Sequence, residues 1–308
     1  MYQNALGVLP ACQLIATGGT IAMKIDPASG AAVPALSGSE LLAAVPGLDA
    51  LATVDLLNLC NVPSSYMDAA RWMVLKHAVD CALARPAISG VVISHGTDTL
   101  EETAWFLDQT VDSNKPVVLV GAQRNASEAD FDGPRNLLAG IRTSIDPAAR
   151  GRGVLVVMND QISSARQANK AHTTAVEAFA PGEAGFAGVV EAGKVIFFSQ
   201  PARSVHIALT TAQLARVDIV PMYAGADGQQ VDAAVSSGAR GIVIEALGLG
   251  NVNAEMYSAI VRAIAARVAV VISSRVGHGR VRPLYGFTGG GHSLQQAGAL
   301  FAGSLSAH

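Results

Sequence analysis

The chain has 308 residues, half of them apolar and 15% charged, with a net charge of -3. That length suits two domains of about 150 residues each, and the slightly acidic balance leaves no basic footprint for nucleic acid. A charge fraction below the roughly 25% of ordinary soluble domains points to surface buried between subunits, or to an Ala- and Gly-rich genome.

Met1 to Pro10 shows neither a basic stretch nor a long apolar core, so no signal peptide is read there. No apolar run reaches the roughly 18 residues of a membrane span, so no membrane partner is expected. Cys12 to Ile15, apolar but for Gln13, is read as a strand buried on both faces. It leads into Ala16-Thr17-Gly18-Gly19-Thr20-Ile21-Ala22. Two glycines permit positive φ and a close approach to the backbone. A threonine there lies at the carboxyl edge of the sheet, where open α/β sheets bind ligands. Thr20 is therefore a candidate nucleophile or ligand-gripping hydroxyl. A plain Gly-Gly turn, with Thr17 or Thr20 as a cap, is the alternative.

Met23 to Ser39, rich in Ala, Gly, Pro and Ser, reads as a long loop without obvious structure, a lid or a disordered segment. A short helix from Glu40 to Val45 and a strand from Val54 to Leu59 follow. Asn61 to Asp68 is a turn into a helix that runs to about Leu83. Ser64 and Ser65 on that turn either cap the helix or hold a ligand. Ile88 to Ser94 is an apolar strand running into His95-Gly96-Thr97-Asp98-Thr99-Leu100-Glu101-Glu102. Thr99 with Glu102 reads as a capping box, starting a helix that continues to about Thr110. Thr97 and Asp98 then sit on a strand-to-helix loop at the same edge as Thr20, and His95 reads as a buried histidine with a backbone partner.

Val117 to Val120 is the next strand, ending in Gly121-Ala122-Gln123-Arg124. Pro134 marks the start of a helix, and Val154 to Met158 is a strand followed by a polar stretch containing Lys170. Lys194 to Phe198, Val217 to Val220, Gly241 to Ala246 and Val268 to Ser273 are further strands. Helices are expected over Ala254 to Ala266 and from about Ser293. The alternation predicts an α/β protein of two domains. Residues 1–199 form a larger doubly wound, mostly parallel sheet, 200–215 a linker, and 216–308 a smaller α/β domain. The cysteines, Cys12, Cys60 and Cys81, form no CxxC. An odd count without spacing suits a reducing compartment and argues against structural zinc. A cytoplasmic location is therefore expected, with the periplasm left open. There is no GxGxxG after a strand, no GxxxxGK[ST], no HExxH and no GxSxG.

In order and spacing, ATGGTIA at 16–22, HGTDT at 95–99, GA-x-R at 121–124 and VVMND at 156–160 resemble the bacterial L-asparaginase (asparaginase/glutaminase) family. SSRV at 273–276 and YGF at 285–287 fit its C-terminal part, so the resemblance covers essentially the whole chain. It implies that Thr20 attacks a side-chain amide carbon to give an acyl-enzyme and ammonia. Thr97, Asp98 and Lys170 match a second cluster, a Thr-Lys-Asp triad with the logic of Ser-His-Asp. Ser64 matches the residue that binds the substrate α-carboxylate, and Ser65 stands where a glutamine often helps to bind the ammonium. The Ala122 carbonyl matches the position holding the amide nitrogen. Asn251 matches a small-domain residue reaching into a neighbouring subunit's site, in a tetramer built as a dimer of dimers. The implied substrate is L-asparagine, with L-glutamine as a side substrate, and neither a metal nor an organic cofactor is implied.

Besides Ser65, four features depart from the family pattern. Met23 to Ser39 holds no tyrosine, where the lid usually carries one. Pro63 replaces a glycine. Gln123 and Asn125 replace Met and Pro. Val276 to Arg282 lacks the glutamate that reaches a partner's site. The acyl-transfer core stays in place, and three alternatives stay open. One is a related amidase for another small amide, the second an amidotransferase subunit working on charged tRNA, which the acidic balance disfavours, and the third a non-catalytic amino-acid-binding protein on the same fold.

Overall fold

The computed structural model describes residues 9–200, 206–211 and 213–308. Most of Met1 to Pro10, and residues 201–205 and 212 of the expected linker, lie outside the described residues. The chain divides into two compact units between Gln213 and Leu214. Among the described residues no helix is long and apolar enough to cross a membrane.

The larger unit runs β1 (Ala11–Gly18), β2 (Met23–Ile25), β3 (Ala32–Pro34), α1 (Gly38–Ala43), β4 (Thr53–Val62), α2 (Ala69–Leu83) and β5 (Ile88–Ser94). It continues with α3 (Leu100–Thr110), β6 (Val117–Val120), α4 (Gly133–Ile145), β7 (Val154–Met158), β8 (Gln161–Ser164), β9 (Ala168–Lys170), β10 (Phe179–Pro181), β11 (Gly188–Glu191) and β12 (Lys194–Phe197). Eight strands form one sheet in the order β12-β11-β8-β7-β6-β5-β1-β4. The five from β4 to β7 are parallel. Leu41 of α1 and Leu137 and Ile141 of α4 cover one face. Leu75 and Val79 of α2 and Leu100 and Leu107 of α3 cover the other. Both faces being buried, β6 and β7 read as unbroken apolar runs.

From β1 the chain crosses to β4 on one side, and from β5 to β6 on the other. The strand order therefore reverses between β1 and β5. The crevice beyond the carboxyl ends of these two strands is where a doubly wound sheet receives a ligand.

Three local expectations are corrected. Met23 to Ser39 is no unstructured loop: β2 and β3 pair as a hairpin, and Asp26 accepts from the amides of Ala28 and Ser29 at its turn. A reciprocal Ser37–Glu40 capping box then starts α1. Asp68, rather than Ser64 or Ser65, caps α2 by accepting from Arg71 N. Thr99 makes no cap bond with α3, because its hydroxyl is used elsewhere. The parallel alternation stops at β7, where Asn159 and Asp160 both take positive φ (49° and 60°). Two such residues build the hairpin turn whose twist matches its strands, so β8 folds back antiparallel, followed by β11 and β12.

The smaller unit comprises β13 (Val217–Pro221), α5 (Gln229–Ser236), β14 (Gly241–Ala246), α6 (Ala254–Ala265), β15 (Ala269–Ser274), α7 (Gly291–Gln296) and β16 (Leu300–Phe301). Its four strands are parallel in sequence order. Asn253 caps α6 by accepting from Met256 N, and Met256, Ala259, Ile260 and Ala263 turn its apolar face onto Ile242, Ile244 and Ile272.

Candidate active site

Ala16, Ser94 and Val120 lie side by side on β1, β5 and β6. Thr20, Thr97 and Ala122 follow these by four, three and two residues, so three loops leave the sheet at one edge. Gly19 has a φ of +85°, and a Cβ built on it would fall 2.2 Å from both Cα and N of Gly96. Only glycine lets the two turns close this far. Gly19 N also donates to Val62 O at 3.0 Å, tying the end of β4 to the same corner. Thr20 opens a short 3-10 turn over Thr20–Ala22 and is partly exposed.

Thr97 starts the turn after β5 and is 4% exposed. Lys170 Nζ donates to Thr97 Oγ1 at 2.8 Å and to Asp98 Oδ1 at 2.5 Å. The Lys170 side chain is 18% exposed and that of Asp98 68%, so the carboxylate holds the ammonium while one flank faces outward. Lys170 reaches this place from β9, which among the described residues pairs only with β10. The Lys170 backbone N–H donates to Glu101 Oε2 at 2.5 Å.

Ser64 opens a 3-10 turn after β4 and is buried. Its Oγ accepts from Asp98 N at 3.2 Å, and its carbonyl accepts from Thr99 Oγ1 at 2.8 Å. Ser64 Oγ fills the space beside Gly96, 2.7 Å from where a Cβ would stand. Ser65 follows in the same turn and is exposed. Ala122 is fully buried. Its loop is held by Asp132, whose carboxylate accepts from Gln123 N and Arg124 N, and by Asn136 Nδ2 donating to Gly121 O. Gln123 Nε2 is buried without a hydrogen-bond partner among the described residues. Asn251 lies in the smaller unit after β14, where its Oδ1 accepts from Gly291 N at 3.2 Å.

His95 lies beneath this corner, fully buried. Its Nδ1 meets Gly96 O at 2.7 Å, and its Nε2 meets Thr103 Oγ1, which also accepts from Trp72 Nε1. A carbonyl can only accept, so Nδ1 carries the proton and Nε2 of the neutral ring accepts from the threonine. Burial pushes the imidazole down to about 4, against the opposing hydrogen bond to Gly96 O. The ring is therefore a neutral brace rather than a base.

The larger unit thus gathers Thr20, Ser64, Thr97, Asp98, Ala122 and Lys170 around one sheet edge. Asp132, Asn136 and Glu101 carry no sequence signal of a site. Asp132 stands at the N-cap of α4 and Glu101 in the first turn of α3, places that acidic groups favour in any case. Among the described residues no three or more His, Cys, Asp or Glu side chains could together hold a metal ion.

Comparison with known proteins follows the same two-unit division. Residues 12–203 match the family profile "Asparaginase, N-terminal", and residues 216–308 match "Glutaminase/Asparaginase C-terminal domain". The chain is 38% identical over 303 residues to a "Probable L-asparaginase" of Deinococcus radiodurans, covering 97% of this chain and 90% of that protein. It is 38% identical over 285 residues to "L-asparaginase 2" of Escherichia coli, covering 89% and 80%. Over another 285 residues it is 36% identical to "L-asparaginase 2" of Bacillus subtilis, covering 89% and 75%.

Proposed function

The chain belongs to the asparaginase family, and from that premise we propose that it hydrolyses L-asparagine to L-aspartate and ammonia through an acyl-enzyme on Thr20. The observation that carries this reading is the closure of the Thr20 and Thr97 turns against one another, with Lys170 bonded to Thr97 behind them.

A threonine hydroxyl is a weak nucleophile and needs its proton removed as it attacks. In this reading Thr20 Oγ1 adds to the carboxamide carbon while its proton passes through the Thr97 hydroxyl to the amide nitrogen. Backbone N–H groups of the two turns hold the oxyanion, each such donor being worth about 10²–10³ in rate. Thr97 acts as relay and water-positioning group. The Lys170 ammonium donates to its oxygen, which polarises the hydroxyl and orients its proton outward. Collapse releases ammonia, and a water beside Thr97 then cleaves the ester to regenerate Thr20. Asp98 both holds Lys170 and receives the substrate α-ammonium. Ser64 binds the α-carboxylate, with Ser65 beside it. The Ala122 carbonyl accepts from the substrate amide nitrogen. Asn251 completes the site from a second subunit in a tetramer of two dimers. The mechanism asks for neither a metal nor an organic cofactor. L-glutamine, one methylene longer, is a side substrate of the same pocket.

The test is ammonia release from a panel of small amides by the wild type and Thr20→Ala. L-asparagine turnover in the wild type, abolished in a folded Thr20→Ala, is the expected result. A Thr20→Ala variant that keeps its turnover removes the nucleophile assignment.

A further inference from the structure

Thr99, just before α3, and Glu101 in its first turn touch the two halves of the larger unit's candidate site. We infer that Thr99 and Glu101 are positioning residues with separate tasks: Thr99 sets Ser64 and thereby substrate binding, and Glu101 sets Lys170 and thereby turnover. The inference rests on the roles proposed above for Ser64 and Lys170.

Sequence spacing assigns Thr99 to capping, and the structure takes it away from that task. Its hydroxyl crosses to the Ser64 carbonyl at 2.8 Å, which also accepts from Met67 N at 2.9 Å. Ser64 follows Pro63, which has no N–H to anchor the turn from the other side. The Thr99 hydroxyl is thus a side-chain tie between the Ser64 turn and the Thr97 turn, beside the Asp98 N to Ser64 Oγ bond. Losing it frees the backbone that aims Ser64 Oγ.

Glu101 does the corresponding work on the opposite flank. Lys170 pairs with Phe179 across the two-stranded β9–β10 ribbon, and the next backbone bond along it is Ala171 N to Ala178 O. The Lys170 N–H points away from β10 and finds the Glu101 carboxylate at 2.5 Å. A bond to a carboxylate is about twice as strong as one between neutral groups. The lysine stem has four flexible carbons, so the point at which its backbone is pinned decides where the ammonium can reach. A shift of about 1 Å would take Nζ beyond hydrogen-bond range of Thr97 Oγ1. Errors of that size at a reacting centre cost about a hundredfold in rate. If Glu101 served only the dipole of α3, its effect would end at stability.

The experiment measures kcat and KM for ammonia release from L-asparagine, together with amide hydrogen exchange at Lys170. Thr99→Val is expected to raise KM about tenfold with kcat within twofold, and Thr99→Ser to restore it. Glu101→Ala is expected to lower kcat about tenfold or more with KM within twofold. Glu101→Gln, which keeps a carbonyl oxygen for the Lys170 N–H, recovers most of that loss. Amide exchange at Lys170 should quicken in Glu101→Ala and stay slow in Glu101→Gln. Wild-type kinetics in Thr99→Val and Glu101→Ala, or kcat and KM moving together in both, overturns the inference. So does unchanged exchange at Lys170. Failure of the underlying reading looks different: Lys170→Met would then keep full turnover.

Discussion

Gly19→Ala tests the contact on which the candidate site is built. The added methyl would stand 2.2 Å from Cα and N of Gly96 and 2.8 Å from the His95 carbonyl carbon, all backbone. Ordinary contact begins at 3.4 Å, so one turn must retreat by about 1.2 Å. Alanine at a φ of +85° adds left-handed strain of about 1–2 kcal/mol. Overpacking of this kind adds about 1–3 kcal/mol. A loss of about 2–5 kcal/mol in a unit of this size lowers Tm by roughly 5–15 °C. The same retreat separates Thr20 from Thr97, and kcat should fall at least a hundredfold. Gly151→Ala supplies the control. Its φ is +72° with nothing within 4 Å of the added methyl, so it should lose about 1–2 kcal/mol of stability from strain and no turnover. Calorimetry and a coupled ammonia assay on both variants give the comparison. A Gly19→Ala protein with wild-type kcat would refute the idea that the two hydroxyls act on one carbon.

Burial of His95 makes stability depend on pH in a defined window. The unfolded chain takes up this proton as pH falls through 6.5 and the folded chain only near 4. The unfolded state therefore binds more protons between those values, and stability falls as pH falls, by on the order of 3 kcal/mol in all. Urea unfolding at pH 7 and pH 4.5 should show a smaller acid loss in His95→Asn than in the wild type, and equal losses would contradict the assignment. Gln123→Met removes a buried donor that has no partner among the described residues and is expected to stabilise by about 1–3 kcal/mol, read as a rise in Tm; a fall would mean that the amide has a partner. Burial, the largest influence, pushes the Cys12 thiol up to about 12, while Cys81 is exposed. At pH 8 a thiol reagent should label Cys81 in the native protein and Cys12 only after unfolding. Rapid native labelling of Cys12 would contradict its placement.

Much of this protein was legible locally. Unbroken apolar runs marked β6 and β7, and largely apolar ones β1 and β5, because strands covered on both faces carry no regular polar alternation. The Gly-Gly turn at Gly18 and Gly19 and the proline opening α4 declared themselves by backbone chemistry. The order of motifs along the chain pointed to the family and nominated Thr20, Thr97, Asp98 and Lys170. What the sequence left open were matters of partnership. Nothing in the residues from Asn61 to Asp68 distinguishes a capping Ser64 from a capping Asp68, since both side chains can accept from a helix amide. Thr99 fits a cap until a neighbouring turn offers it a carbonyl. Lys170, on a short ribbon after the parallel strands, reads as a solvated lysine until the fold brings it against α3. Spacing reports only the faces that one element presents to its own neighbours. Which loops meet at an edge depends on strand order, and the reversal between β1 and β5 is a property of the assembled sheet alone.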